Sequence, residues 1–314
     1  MSTSCLIFSQ KPTDHSRLGN SLEWMTKIWD TLHDWSIQDY IFPWASENYG
    51  QWLDPSSKWS NISDTCRSAY FGFIEPELSA VTVARAARTF EVQYESEKNL
   101  KPFAWDKIIY KPSKDLLYIT GKIDLANPDL HQSISDSTLT IWHEPFNAHY
   151  DSSRTISEAA WKAVCPQRTL IQKETTYVRQ NSARPRLAGL HIRRGDYKKW
   201  RGGECFMPDE FWADTANILI KLGYHVWVFS NEDCSFLFDL VTPKAPPFLT
   251  LSGGTFEQDA VRLMEMDLIL GPPSTFPRIS VDIAFEVMKK PIVYKHVQNL
   301  QQVELVIKSL SLGL

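Results

Sequence analysis

Leu187-Ala-Gly-Leu-His-Ile192 is an apolar run of six residues that breaks abruptly into Arg193-Arg194-Gly195-Asp196-Tyr197. So short a run between polar stretches reads as a buried strand rather than a helix. Downstream, Phe211, Thr215, Ile218 and Leu222 recur at helical spacing, and Gly223 is a natural helix stop. His225 to Phe229 is the next strand, and a short helix fits Cys234 to Leu240. Phe248 to Leu251 is strand-like, and Thr255-Phe-Glu-Gln258 has the form of a capping box opening a helix through Met264. Leu268 to Leu270 is a buried strand, Ile279, Ile283 and Val287 mark a helix, and Pro291 to Tyr294 is a strand. Leu300, Val303, Ile307 and Leu310 give a last amphipathic helix. Strand and helix alternate five times, which predicts an α/β fold with a doubly wound parallel sheet.

Upstream the pattern is less regular. Cys5 to Phe8 is strand-like, and Lys11 to Arg17 forms a loop leading to Gly19-Asn20. Leu18, Leu22, Met25, Trp29 and Leu32 then mark a helix. A polar, Trp-rich stretch follows over about 35–60, then a helix near Ser79 to Tyr94 and strands at Leu116 to Ile119 and Thr138 to Trp142. Ser157 to Cys165 and Leu170 to Gln180 read as helices. Asn181 to Arg186, with Ser, Pro and two Arg, reads as a linker. Two domains result, 1–183 and 184–314, with the last helix a candidate to pack back on the first.

Composition narrows the function. In 314 residues, 33 Lys and Arg stand against 37 Asp and Glu, a net charge of -4. That balance argues against a nucleic-acid binder, which presents a basic surface. No apolar run approaches the roughly 20 residues of a membrane span. Met1 to Phe8 lacks the basic-then-apolar order of a secretory signal, so a cytoplasmic location is expected. Cys5, Cys66, Cys165, Cys205 and Cys234 are scattered without a Cys-x-x-Cys, as free thiols are, and no metal site is expected. Seven tryptophans (Trp24, Trp29, Trp35, Trp44, Trp52, Trp59, Trp105) fall in the first third. An aromatic face suits either a core or the apolar side of a sugar ring.

Ligands of a doubly wound sheet bind at the carboxyl ends of its strands. Strand 187–192 ends in two arginines, a glycine and a carboxylate, and arginine suits phosphate because its planar fork donates two parallel hydrogen bonds. The strand at 268–270 ends in Gly271-Pro-Pro-Ser274-Thr275-Phe276-Pro277 before a helix, and a helix start is an anion site. Gly19-Asn20 offers a similar start in the other half. Two arginines also suit a solvated loop, and Ser-Thr before a helix also suits a simple cap; the residues alone leave both readings open.

His191-Ile-Arg193-Arg194-Gly195-Asp196-Tyr197 resembles the signature of the alpha-1,2-fucosyltransferases and of the wider alpha-1,2/alpha-1,6 fucosyltransferase superfamily. Leu18-Gly19-Asn20-Ser21-Leu22 is similar to the family's N-terminal L-G-N-Q-M motif. Val228-Phe-Ser-Asn231-Glu232 resembles its F-S-D-D motif, with Asn-Glu in place of the paired aspartates. Asp259 to Phe276 loosely resembles a third motif.

The resemblance implies a GT-B-like architecture, two Rossmann-like domains facing a cleft, with residues 1–183 on the acceptor side and 184–314 binding a GDP-sugar. It implies an inverting, metal-independent transfer of fucose from GDP-fucose to a hydroxyl of a glycan acceptor. Carried over by position, Arg193 meets the donor pyrophosphate with Arg194 beside it. His191 and Asp259 hold the guanine end, Ser274 and Thr275 lie at the phosphates, Phe276 is a further donor-binding residue, and Gly19 and Asn20 approach from the other domain. The chain contains no Asp-x-Asp to hold a divalent metal, so Arg193 and the helix start after Thr275 are expected to meet the charge that grows on the leaving phosphate, with no cofactor. Asp196 is the first candidate base for the acceptor hydroxyl and Glu204 the second; Asp196 serves equally well as a brace for an arginine. The rival readings are a GDP-sugar or glycan-binding protein without turnover and a transferase using another GDP-sugar.

Overall fold

The computed structural model describes residues 5–8, 18–37, 39–41, 52–53, 60–61, 107–110, 116–121, 128–136, 139–142, 155–242 and 247–311. The helix expected near 79–94 and most of the Trp-rich stretch lie outside them. Contact density divides the chain into two units, residues 1–17 with 21–164, and residues 18–20 with 165–314. No helix among the described residues is long and apolar enough to cross a membrane.

The first unit is built on a six-stranded sheet of β1 (Cys5–Phe8), β2 (Asp39–Ile41), β3 (Ser60–Asn61), β4 (Lys107–Tyr110), β5 (Leu116–Gly121) and β6 (Leu139–Trp142), in the order β3-β2-β1-β6-β5-β4. The four central strands are parallel and the outer pairs β2–β3 and β4–β5 antiparallel. Helix α1 (Leu18–Asp34) buries Leu22, Met25, Ile28 and Leu32, the stripe its 3.6-residue period dictates. Helix α2 (Pro128–Ser135) precedes β6, and α3 (Glu158–Ala163) starts at the N-cap Ser157. Asp30, buried on α1, accepts from the Ser157 N–H at 2.8 Å and from its hydroxyl, joining α1 to that cap. Trp52, fully buried, donates its indole N–H to the Val164 carbonyl at 2.7 Å.

The second unit carries a wholly parallel sheet of β7 (Leu187–Ile192), β8 (His225–Ser230), β9 (Leu249–Leu251), β10 (Leu268–Gly271) and β11 (Val293–His296), in the order β11-β10-β7-β8-β9. Its helices are α4 (Arg168–Gln180), α5 (Asp209–Lys221), α6 (Leu237–Leu240), α7 (Phe256–Leu263), α8 (Thr275–Glu286) and α9 (Leu300–Ser311). Alternation along the strands fills both faces. Val226, Val228, Leu268 and Leu270 join one core with Trp212, Ala216 and Leu219, while Trp227, Phe229 and Ile269 join the other with Val178, Leu263 and Met266. This is the doubly wound α/β arrangement the alternation predicts. α9 lays Val303 into the first of these cores, with Leu300, Ile307 and Leu310 around it, so its apolar stripe is used within the second unit.

Some boundaries shift. The strand expected from Pro291 begins at Val293 and runs to His296, because proline has no N–H to give a ladder. Residues 181–186, expected as a linker, lie by contact density inside the second unit. Arg184 donates to the Ile220 and Tyr224 carbonyls at 2.6 and 3.1 Å, and Arg186 to the Tyr224 hydroxyl at 2.5 Å. The Ala183 N–H donates to Nδ1 of the buried His225 at 3.0 Å.

Candidate functional site

β7 lies in the middle of its sheet, and its carboxyl end carries the charged run. Gly195–Lys198 forms a single 3-10 turn there. The turn sets Arg193 and Asp196 face to face, with Arg193 Nε and Nη2 each donating at 3.0 Å to a different oxygen of Asp196. A guanidinium has five donors, so after this fork Arg193 still has N–H groups for an anion.

Arg194 points elsewhere. Its Nη1 donates to Asp209 Oδ1 at 2.5 Å, its Nε lies 3.7 Å from Glu232 Oε2, and the Phe236 ring packs 5.0 Å from its guanidinium carbon. Its backbone N–H donates to Asn231 Oδ1 at 3.2 Å. Two carboxylates and a ring hold this cation in place. Gly195 has φ +45°, and a Cβ there would stand 2.9 Å from Glu232 Oε1 and 3.2 Å from Asn231 Nδ2. Asn231-Glu232 is therefore the surface on which the Arg-Arg-Gly turn is seated, and this gives the departure from paired aspartates a physical role. Asp209, first residue of α5, was missed from sequence; an acid just after Pro208 reads there only as a favourable charge at a helix start.

The loop after β10 is tied to the turn after β7 by Tyr197 and to β11 by Tyr294. Tyr197, buried, donates its hydroxyl to the Pro273 carbonyl, and Tyr294 donates to the Pro272 carbonyl at 2.9 Å. Burial pushes both phenol pKa values up, so both stay donors. The loop they hold delivers Ser274, whose hydroxyl caps α8 by accepting from the Phe276 N–H at 3.4 Å. The capping reading of Ser274 is thus realised at a helix start that also presents N–H groups toward any anion. Thr275 donates its hydroxyl to Asn20 Oδ1, and a Cβ on Gly19 would stand 2.8 Å from the Phe276 Cα. Residues 18–20 belong to the second unit by contact density, so this contact is internal to it. Only glycine admits so close an approach.

His191, buried on β7, has its ring 5.9 Å from that of Phe276, and Phe276 meets Phe256 edge-on at 6.3 Å. Phe256, more than half exposed at the start of α7, is an aromatic residue at the site that sequence reasoning did not single out. Asp259, one turn further along α7, is buried and accepts from the Ser252 hydroxyl at 2.5 Å. Burial pushes its pKa up, and the Ser252 bond and the Arg262 charge pull against that. Glu204 stands apart. It is exposed beyond the 3-10 turn Trp200–Gly203, in which Arg201 and Gly202 both have positive φ. Among the described residues it makes no ion pair with Arg193 or Arg194. Nor does any group of three His, Cys, Asp or Glu among the described residues form a set that could hold a metal ion.

No protein-family model matches the sequence, and no curated protein matches it as a sequence relative. Solved structures do match the fold. POFUT1 in complex with GDP superposes with a TM-score of 0.58 at 9% identity, over 94% of this chain and 98% of that one. POFUT1 in complex with GDP-fucose gives 0.55 at 9% identity, over 94% and 98%. The fucosyltransferase NodZ from Bradyrhizobium reaches 0.44 at 9% identity over 88% and 91%, an overlap too loose to argue from. The chain has the α/β, GT-B-like fold of the POFUT1 structures.

Proposed function

We propose that this protein is an inverting, metal-independent glycosyltransferase that moves fucose from GDP-fucose to a hydroxyl of a glycan. The observation that carries the reading is the end of β7, where Arg193 is held in a fork by Asp196 and Tyr197 ties that turn to the loop before α8. A cation and a helix start on neighbouring strand ends suit a diphosphate. Likeness of fold to POFUT1 structures in complex with GDP and with GDP-fucose supports the choice of nucleotide.

In this reading Arg193 and the α8 start meet the charge that develops on the departing GDP, the task a divalent metal performs elsewhere. Arg194, held by Asp209 and Glu232, shapes the turn. His191, Phe276 and Asp259 surround the guanine end, and Thr275 with Gly19 and Asn20 closes the phosphate end. Inversion needs one displacement and a base for the acceptor proton. Asp196 gives both oxygens to Arg193, which favours the brace, while each oxygen keeps a lone pair for an acceptor proton; Glu204 is the second candidate base.

Titration calorimetry with GDP-fucose, GDP-mannose and a UDP-sugar, followed by GDP release with and without glycan acceptors, tests the proposal. We expect binding of GDP-fucose above the others and slow release of GDP even without acceptor. Binding of none of the GDP-sugars overturns it, and binding without any GDP release reduces it to the non-catalytic rival.

A further inference from the structure

Glu174 lies on α4, outside every motif considered above, and its side chain is 1% exposed. It accepts from Arg262 Nε at 2.7 Å and from Gln258 Nε2 at 3.2 Å. Arg262, 6% exposed, donates through Nη1 to the Ser252 carbonyl at 2.7 Å and to the Ser252 hydroxyl at 3.0 Å. That hydroxyl, accepting from the guanidinium, donates its own proton to Asp259 Oδ1. Arg262 Nη1 also approaches the same oxygen at 3.6 Å, and the Tyr177 ring lies 4.3 Å beneath the guanidinium carbon. Gly254 runs across the group so closely that a Cβ would stand 2.5 Å from Asp259 Oδ1 and 2.7 Å from Arg262 Nη1.

Stability does not call for this arrangement. Exchanging a buried ion pair for apolar side chains of like volume is often neutral or stabilising. Its geometry has one directional result: the side-chain contacts described fall on Oδ1 of Asp259, with the Gly254 N–H a further donor to that carboxylate. Phe256 and Phe276 place the start of α7 beside His191 at the end of β7.

We propose that Glu174 and Arg262 are positioning residues that turn Asp259 Oδ1 inward and present Oδ2 to the N1–H and N2–H edge of guanine. The inference rests on the GDP-sugar reading of the site. Guanine offers two donors on that edge, and a carboxylate fixed in orientation and kept ionised accepts both. A protonated acid would donate where the base also donates. Burial drives Asp259 toward that protonated form, and the Ser252 bond and the Arg262 charge oppose it.

The test compares Kd values for GDP, IDP and UDP in the 314-residue chain. IDP lacks the N2 amine, so the GDP/IDP ratio reads one donor and the GDP/UDP ratio reads the base. We expect wild type to prefer GDP over both. In the double variant Glu174→Met/Arg262→Met, which removes both charges together, we expect the GDP/IDP ratio to fall by about tenfold, the worth of a charge-assisted bond, with UDP affinity unchanged. A folded double variant with the wild-type ratio overturns the proposal, as does one in which GDP, IDP and UDP weaken in step. Should the double variant not fold, Ser252→Ala decides: a several-fold fall in the ratio supports the proposal and an unchanged ratio overturns it. A wild type that does not prefer GDP over UDP overturns the reading of the site and this inference with it.

Discussion

Arg193 and Asp196 meet through two parallel hydrogen bonds, Nε to Oδ1 and Nη2 to Oδ2, both 3.0 Å long. The pair is three residues apart on one tight turn, and the Asp196 side chain is 49% exposed. An ion pair so open to water adds at most about 1 kcal/mol to stability. What it fixes is the direction of the guanidinium.

Asp196→Asn keeps the shape and removes the charge. We expect GDP affinity and transfer rate to fall together, by about three- to tenfold, with an unchanged melting temperature. Calorimetry beside initial rates measures both. A fall in transfer of a hundredfold with normal GDP binding would instead make Asp196 the base.

On the proposed reading Arg193→Ala removes a fixed cation from developing charge, which typically costs about 10²–10³ in rate. We expect that loss in turnover together with weaker GDP binding. Arg193→Lys should recover little, because an ammonium cannot reproduce the fork. Single-turnover rates of the two variants check this, and full rescue by lysine would reduce Arg193 to a simple point charge.

Gly195→Ala faces two obstacles, a φ of +45° and a Cβ 2.9 Å from Glu232 Oε1. Left-handed backbone costs a non-glycine residue about 1–2 kcal/mol, and the contact adds to that. We expect urea unfolding to show a loss of about 2–4 kcal/mol. Adding Glu232→Ala should restore the steric part and leave the backbone part.

His225 supplies an acid-sensitive element. Burial, with Arg184 adding to it, pulls its imidazole down to about 4 from 6.5. Between those values the unfolded chain takes up a proton that the folded chain refuses. Stability from this group is therefore full above about pH 6.5 and is lost as pH falls toward 4, with a slope approaching about 1.4 kcal/mol per pH unit. His225→Gln should flatten that slope in urea midpoints measured across the window, and an unchanged slope would place the acid sensitivity elsewhere.

If, as proposed, Arg193 and the α8 start meet the charge on the leaving phosphate, turnover should survive an excess of EDTA. Activity lost to EDTA and restored by magnesium or manganese would reject that assignment.

The second unit was legible in the sequence because its signals are local. Short apolar runs, the capping box at Thr255 and Gln258, and the stop at Gly223 each report their own element. The strand ends at 193–197 and 271–276 followed from the sheet rule. The partners of those residues did not. Asp209, Glu232, Glu174 and Arg262 are ordinary charges in a sequence, and their meaning comes from contacts across the fold. Arg262 carried one faint signal, a charge on a helix turn otherwise buried. The antiparallel strand β4 was not read from the sequence, although Pro112, Ser113 and Asp115 between it and β5 carry a turn signature.

The glycine at 195 leaves a space that Glu232 fills, and Glu232 with Asp209 holds the neighbouring arginine. The energies of these positions are therefore coupled, so substitutions among them are expected to be non-additive. A lineage that shortens the acid at 232 has to re-seat Arg194 through Asp209 or residue 231 before the strand end recovers its shape. A side chain gained at 195 has to be matched by one lost at 232. Either change alone strains the turn and the pair relieves the steric share, so a chain can keep the turn while replacing the residues beneath it in concert.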